Sequence, residues 1–276
     1  MAVPSSEPLL RVSNLTVVFP LDHDREMVAV DNVSFDVGRG ETLGLIGESG
    51  SGKSLTALSI VRLVMPPGRM AEGRVELEGR DLLTLDAKAM QQVRGRRIGF
   101  VFQEPSAALN PVFTIGFQVA ETMAVHGLAR GRSARERAVA LLDRVGMPEP
   151  QRRAREYPHQ LSGGLKQRAM IALALAAEPA LLIADEPTTA LDARVQADIM
   201  DLLRELRQSM ALSVLLISHD FGVIADLADR VIVMRSGRTV EEASIDRIFS
   251  SPQSPYTRQL LDAAGVGRAA TPADPR

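Results

Sequence analysis

The stretch Gly47-Glu48-Ser49-Gly50-Ser51-Gly52-Lys53-Ser54 fits the pattern G-x-x-x-x-G-K-[ST], and no other part of the chain narrows the fold so far. Such a loop works only between a strand and a helix. The glycines let successive backbone N–H groups turn inward around phosphate oxygens, and the N-terminus of the following helix adds its positive dipole end. The flanks supply both elements. Thr42 to Ile46 is a short apolar strand. From Gly52 to Met65 the apolar positions Leu55, Leu58, Val61 and Leu63 predict a helix, which Pro66-Pro67-Gly68 stops. In that setting Lys53 reaches the β- and γ-phosphates of a nucleotide, and Ser54 offers its hydroxyl to Mg²⁺.

The rest of the chain reads as strands and helices in alternation. Residues 9–19, 33–37, 75–77 and 98–102 are strand-like. After Leu161 come a helix over 164–177, a buried strand over 181–184, an amphipathic helix over 194–210 and a strand over 214–217. Two short strands then flank Ser236-Gly237. This pattern predicts an α/β fold with a largely parallel sheet. Residues 114–160 differ, with apolar positions Val119, Met123, Val139, Leu142 and Val145 at helical spacing, and read as a helical insertion. Eight arginines between Arg130 and Arg155 face three acidic residues there, but no aromatic residues interleave with them, which argues against nucleic acid. A net charge of −2 gives no global basic field either. Hydrophobic residues at 45% exclude a disordered chain. The longest apolar run, Ala169 to Ala177, is about half of what a membrane span needs, so a soluble chain is expected. The N-terminus lacks a secretory pattern, and the last dozen residues, 265–276, are expected to be flexible.

Two further constellations carry chemistry. Leu181-Leu182-Ile183-Ala184-Asp185-Glu186 is an apolar strand ending in two carboxylates. Beside a phosphate loop, Asp185 would hold Mg²⁺ and Glu186 would face the attacking water as general base. Leu161-Ser162-Gly163-Gly164-Leu165-Lys166-Gln167-Arg168 opens an apolar helix with exposed N–H groups and a hydroxyl, a second anion site. Two anion sites far apart in one chain suggest that the second serves another subunit's nucleotide.

With these motifs the sequence resembles an ATP-binding cassette (ABC) ATPase over roughly residues 8–264. Leu161 to Gln167 resembles the family's signature motif, departing from a common form at Leu165-Lys166. The resemblance implies that each ATP is sandwiched between one subunit's phosphate loop (Gly47, Glu48, Ser49, Gly50, Ser51, Gly52, Lys53, Ser54) and its partner's signature (Ser162, Gly163, Gly164, Gln167). It also implies a Q-loop glutamine at Gln103 that senses Mg²⁺ and water, a dimer contact at Asp192, a switch histidine at His219 and an adenine-stacking aromatic at Phe19. Mg²⁺ would be held by Ser54, Gln103 and Asp185. The implied fold is a P-loop NTPase (RecA-like) core with an antiparallel β-subdomain and a helical subdomain. As one ABC ATPase domain, 8–105 and 161–250 form the core and β-subdomain, 106–160 the helical subdomain, and 251–264 a short C-terminal extension.

Two segments narrow the resemblance. Gln103 to Pro111 and Ser251-Pro252-Gln253-Ser254-Pro255-Tyr256-Thr257 are similar to the Q-loop and C-terminal segment of dipeptide, oligopeptide and nickel importer ATPases. Many of these run some tens of residues longer, and some carry cysteines for an iron–sulfur cluster, which a chain without cysteine excludes. The resemblance thus implies the energy-coupling ATPase of an importer of di- or oligopeptides, or alternatively of nickel or another small solute. Its partners would be two transmembrane permeases, a second ABC ATPase (a heterodimer by resemblance, a homodimer remaining open) and, indirectly, an extracytoplasmic solute-binding protein. It would lie peripherally on the cytoplasmic face of the plasma membrane. A non-transport ABC ATPase of repair or translation is the alternative from another class. Against it stand the single cassette and the short interval between phosphate loop and signature, too short for a long coiled coil.

Overall fold

The computed structural model describes residues 7–21, 25–189 and 191–265. Its strands are β1 (Leu10–Pro20), β2 (Glu26–Val37), β3 (Thr42–Ile46), β4 (Arg69–Leu77), β5 (Arg80–Asp81), β6 (Ile98–Val101), β7 (Leu181–Asp185), β8 (Ser213–Ser218), β9 (Arg230–Arg235) and β10 (Arg238–Ser244). The α-helices are α1 (Lys53–Ile60), α2 (Ala87–Val93), α3 (Pro105–Ala108), α4 (Ile115–Val125), α5 (Gly131–Arg144), α6 (Pro150–Arg153), α7 (Gly163–Leu175), α8 (Ala193–Met210), α9 (Phe221–Leu227), α10 (Ile245–Ser250) and α11 (Pro255–Ala263).

The strands form two sheets. The larger has the order β10-β9-β3-β8-β7-β6 and is parallel except for β10 at one edge. Strands β3, β7 and β8 are buried at every position, as a parallel sheet covered on both faces requires. The smaller sheet, β2-β1-β4-β5, is antiparallel. Its inward residues, among them Val12, Leu15, Val33 and Phe35, share one apolar core with Leu43, Leu45 and Ile60. A second core joins the other face of the large sheet to α7, α8 and the helices between β6 and β7. Of those helices, α4 to α6 fall within the stretch 114–160 that reads as a helical insertion.

Topology sets the site. The phosphate loop follows β3, His219 follows β8, Asp185 ends β7, and Gln103 follows β6. These are four neighbouring strands, and their register keeps the ends level: Ile46 pairs with Ser218, Asp185 with Ile217 and Val101 with Ala184. A crevice beyond the carboxyl ends of parallel strands is where α/β sheets bind ligands.

Two elements differ from the sequence reading. Helix α1 ends at Ile60, well before the proline pair, because Arg62 takes a left-handed φ of 53°. Arg94 then caps the frayed end, its Nε donating to Val61 O at 2.8 Å and its Nη2 to Arg62 O at 2.9 Å. The residues from 33 to 37 are only the end of a strand that starts at Glu26. The predicted flexible tail lies outside the described residues apart from Gly265, as does Ala190 before the expected dimer-contact Asp192.

Candidate nucleotide site

The loop between β3 and α1 wraps around the Lys53 ammonium, which donates to Gly47 O (2.7 Å), Glu48 O (2.9 Å) and Ser51 Oγ (3.4 Å). The glycines are needed for contact with the floor. A Cβ on Gly47 would run into the Met234 carbonyl of β9, and Gly52 sits at φ 100° with Ala29 O where its Cβ would be. The β9–β10 turn braces the loop from below, with Gly237 N–H donating to Ser51 O at 3.0 Å. Lys53 is only 5% exposed. Burial lowers its pKa, and the nearby Glu186 and Asp185 oppose that shift.

Asp185, also buried, accepts from Ser54 Oγ at 3.0 Å. Burial pushes its carboxyl up from 3.8 to about 6, the Ser54 hydrogen bond and Lys53 pull it down, and Glu186 pushes it up. A hydroxyl and a carboxylate side by side are the hard oxygen donors that suit Mg²⁺, which takes few protein ligands and completes its shell with water and phosphate.

Glu186 takes a left-handed φ of 47° and is pinned by its N–H to Ile217 O at 2.9 Å. Three side chains converge on its carboxylate. Thr189 Oγ1 donates at 2.7 Å, Gln103 Nε2 donates at 3.3 Å, and His219 Nδ1 lies 3.1 Å away. The four residues share a cavity of about 550 Å³ with Gly47, Glu48 and Ser49. Leu260, Ala263 and Ala264 close its far side. Sequence reasoning missed Thr189; the available signal was a hydroxyl three residues past the general-base candidate, in the turn leaving β7.

The signature turn is not part of that cavity. Ser162 caps α7, its Oγ accepting from Leu165 N at 3.4 Å, and Ser162 and Gly163 are exposed. Gln167 differs from the expectation. It is 2% exposed, with its amide nitrogen buried and unpaired, because the fifth residue of α7 faces the core; it does not join the exposed face at the start of the helix. Asp192 is exposed and caps α8, accepting from Val195 N at 3.0 Å. Phe19 is half-buried at the end of β1 with its ring packed on Gly68 and Val64, outside the lining of the phosphate cavity. Among the described residues no helix is long and apolar enough to cross a membrane.

Comparison with known proteins agrees with this geometry. A family model described as ABC transporter matches residues 30–189. A candidate peptide import ATP-binding protein of Brucella abortus is 53% identical over 93% of this chain and 77% of its own length. The oligopeptide transport ATP-binding protein OppD of Bacillus subtilis is 47% identical over 92% of this chain and 71% of its own. Among solved structures, the dimeric cassette MJ0796 bound to ADP and Pi superposes with a TM-score of 0.76 at 32% identity, covering 86% of this chain and 98% of that one. CbiO1 of Clostridium perfringens, part of the transporter complex CbiONQ, gives 0.75 at 25% identity over 94% of this chain and 96% of its own. The chain belongs to the ABC transporter family, as an ATP-binding cassette ATPase.

Proposed function

We propose that this cassette is the ATP-hydrolysing subunit of a peptide importer, and that the convergence of Thr189, Gln103 and His219 on Glu186 beside Lys53 defines its catalytic site. The kinship with OppD and with the Brucella protein supports peptide cargo. Lys53 and the loop N–H groups of Gly47 to Ser54 bind the phosphates. Ser54, Asp185 and Gln103 would hold Mg²⁺, which would supply charge neutralisation on the phosphate oxygens. Glu186 takes the proton of the attacking water, and Thr189 and Gln103 fix the orientation of its carboxylate. His219 stands beside Glu186 where the terminal phosphate arrives and donates to it. Ser162, Gly163 and Gly164 complete a second cassette's site from the far side, with Asp192 at the contact. Phe19, near the end of β1, would be the aromatic that stacks on adenine.

An exposed surface supports permease partners beside the kinship. A groove of about 1010 Å³ among α4, α5 and α6 exposes Phe117, which packs against the exposed Phe113 with ring centroids 4.8 Å apart. Apolar surface of this kind marks a docking site, here for one of two membrane permeases, the other being docked on a second cassette, so that the pair is held at the cytoplasmic face of the membrane. ATP drives closure only as far as it prefers the closed pair.

Glu186→Gln tests the chemistry. The variant should bind MgATP as wild type does while losing about 100-fold or more of turnover, as for a missing general base. Cells in which it replaces the wild type should stop accumulating a labelled tripeptide. Turnover at the wild-type rate would remove Glu186 from the role. Uptake of nickel but not of peptide through the wild-type transporter would replace the cargo.

A further inference from the structure

The C-terminal segment lies well beyond the matched family region, yet it forms a wall of the catalytic cavity. Leu260 and Ala263 of α11, with Ala264 just past its end, border the same space as Gln103, Glu186 and His219. The phosphate loop reaches that space only with Gly47, Glu48 and Ser49; Gly50 to Ser54 do not line it. Under the roles proposed above, this is the end of the site where water meets the terminal phosphate. The base of α11 is firmly seated. Glu241 of β10 accepts from Gln253 N at 2.7 Å and from Ser254 N at 2.9 Å, and Ser254 caps α11 by accepting from Tyr256 N at 3.2 Å. Tyr256 and Leu261 are buried in one core with Phe221, which follows His219 by two residues and itself lines the cavity.

The last turn differs from the base. Asp262, Ala263 and Ala264 are exposed, and Gly265 ends the turn at φ 72°. This rim is ill suited to phosphate. The side chains that it shows the cavity are apolar, and it is the negative end of a helix. Its complement is a positive helix start with little side-chain bulk. The chain exposes such a start at Ser162 and Gly163, with Gly164 behind them. Those residues do not line their own chain's cavity, so the turn that fits the space comes from another molecule.

We propose that α11 is one wall of the slot that receives a second cassette's signature turn, and that Ala263 gates this slot by size. The proposal rests on the shared-site reading of Ser162 to Gly164. The alanine methyl leaves the slot open, while the seated base of α11 keeps the wall from yielding to a larger group. The negative end of α11 then faces the positive start of the second cassette's α7, and opposite helix ends attract. Turnover by the pair depends on a small residue at position 263. MgATP binding by the single chain does not.

The test places a large side chain on the rim of the full-length chain. Ala263→Trp is compared with Asp262→Trp, which adds bulk to the same exposed turn at a residue that does not line the cavity. MgATP binding by each isolated chain is measured by calorimetric titration at pH 7.5, unfolding temperature beside it, and hydrolysis in the assembled transporter. Ala263→Trp should bind MgATP within about twofold of wild type and unfold at the same temperature. It should nevertheless hydrolyse ATP about 20-fold or more slowly in the transporter, because the opposing donors no longer reach the phosphate. Asp262→Trp should match wild type in all three. Hydrolysis by Ala263→Trp at the wild-type rate or faster would overturn the gate. So would loss of MgATP binding to the level of Lys53→Ala, since the wall would then serve the chain's own nucleotide, or equal slowing by Asp262→Trp. Ser162→Arg separates this proposal from the reading beneath it. Wild-type hydrolysis in the Ser162→Arg transporter would remove the shared site, and the slot with it. Slow hydrolysis there beside fast hydrolysis in Ala263→Trp would remove the slot alone.

Discussion

Asp185 is a carboxylate placed where the fold would rather have a neutral side chain. It is 5% exposed, Glu186 adds a second negative charge, and its pKa of about 6 stands above the 3.8 of an unhindered aspartate. The sign of the consequence is fixed. Between pH 4 and 6 the folded chain binds this proton more tightly than the unfolded chain does, so stability falls as pH rises through that window and stays lowered above it. A shift of this size corresponds to about 3 kcal/mol at neutral pH. Asp185→Asn, measured by urea unfolding in EDTA without nucleotide, should therefore be more stable than wild type at pH 7.5, less the lost Ser54 hydrogen bond. The difference should shrink toward pH 4. A variant no more stable at pH 7.5 would mean that Lys53 already offsets the burial. The same residue shows what sequence discloses. An apolar strand ending in two carboxylates is visible in the letters, because burial and charge are written into residue type. That Thr189 locks the second carboxylate is not visible, because it depends on the turn that brings position 189 back to position 186.

Among the elements, the strands of the large sheet were legible because they are continuous apolar runs, and the phosphate loop because glycine spacing has few other uses. The end of α1 was not, since Arg94 from a distant helix caps it. The inward turn of Gln167 was hidden for a similar reason: helix α7 is apolar nearly all round, and only packing decides which face the core takes. The arginine-rich insertion read correctly as helices, but its arginines resolve into local pairs such as Arg132 with Glu136, Arg137 with Glu178 and Arg153 with Glu156. The groove beside them mixes charged residues, Glu121, Arg135 and Arg155, with an apolar wall. Phe117 is 46% exposed at the groove of α4, and nothing in the helix's own packing requires it there. Phe117→Asp should leave MgATP binding and the unfolding temperature within error of wild type. It should also abolish copurification of the permeases from detergent-solubilised membranes. Undiminished copurification would move the docking surface off this groove.

At the scale of the whole molecule, the chain holds one phosphate loop and one signature turn that do not meet within it. The cavity at Glu186 and the start of the phosphate loop is lined by residues at or just beyond the ends of β3, β6, β7 and β8 and by α11, while Ser162 and Gly163 face solvent at the start of α7. On the proposed reading, this exposed helix N-terminus, with the Ser162 hydroxyl and two glycines, would serve as an anion site for a nucleotide of another chain. The proposed composite site of a cassette pair would use both surfaces, and it predicts that binding and turnover separate in a measurable way. Ser162→Arg keeps the phosphate loop, so the isolated chain should bind MgATP within about twofold of wild type, whereas Lys53→Ala should bind far more weakly. In the assembled transporter the order changes. Ser162→Arg should cut hydrolysis about 100-fold or more, because the bulky side chain fills the gap through which the N–H groups at the start of α7 would reach the charge that develops on the phosphate of the opposing site. The result that would reverse this is loss of MgATP binding by the isolated Ser162→Arg chain to the level of Lys53→Ala. The signature would then serve its own chain's nucleotide, and the pair would be two complete sites side by side instead of two shared ones.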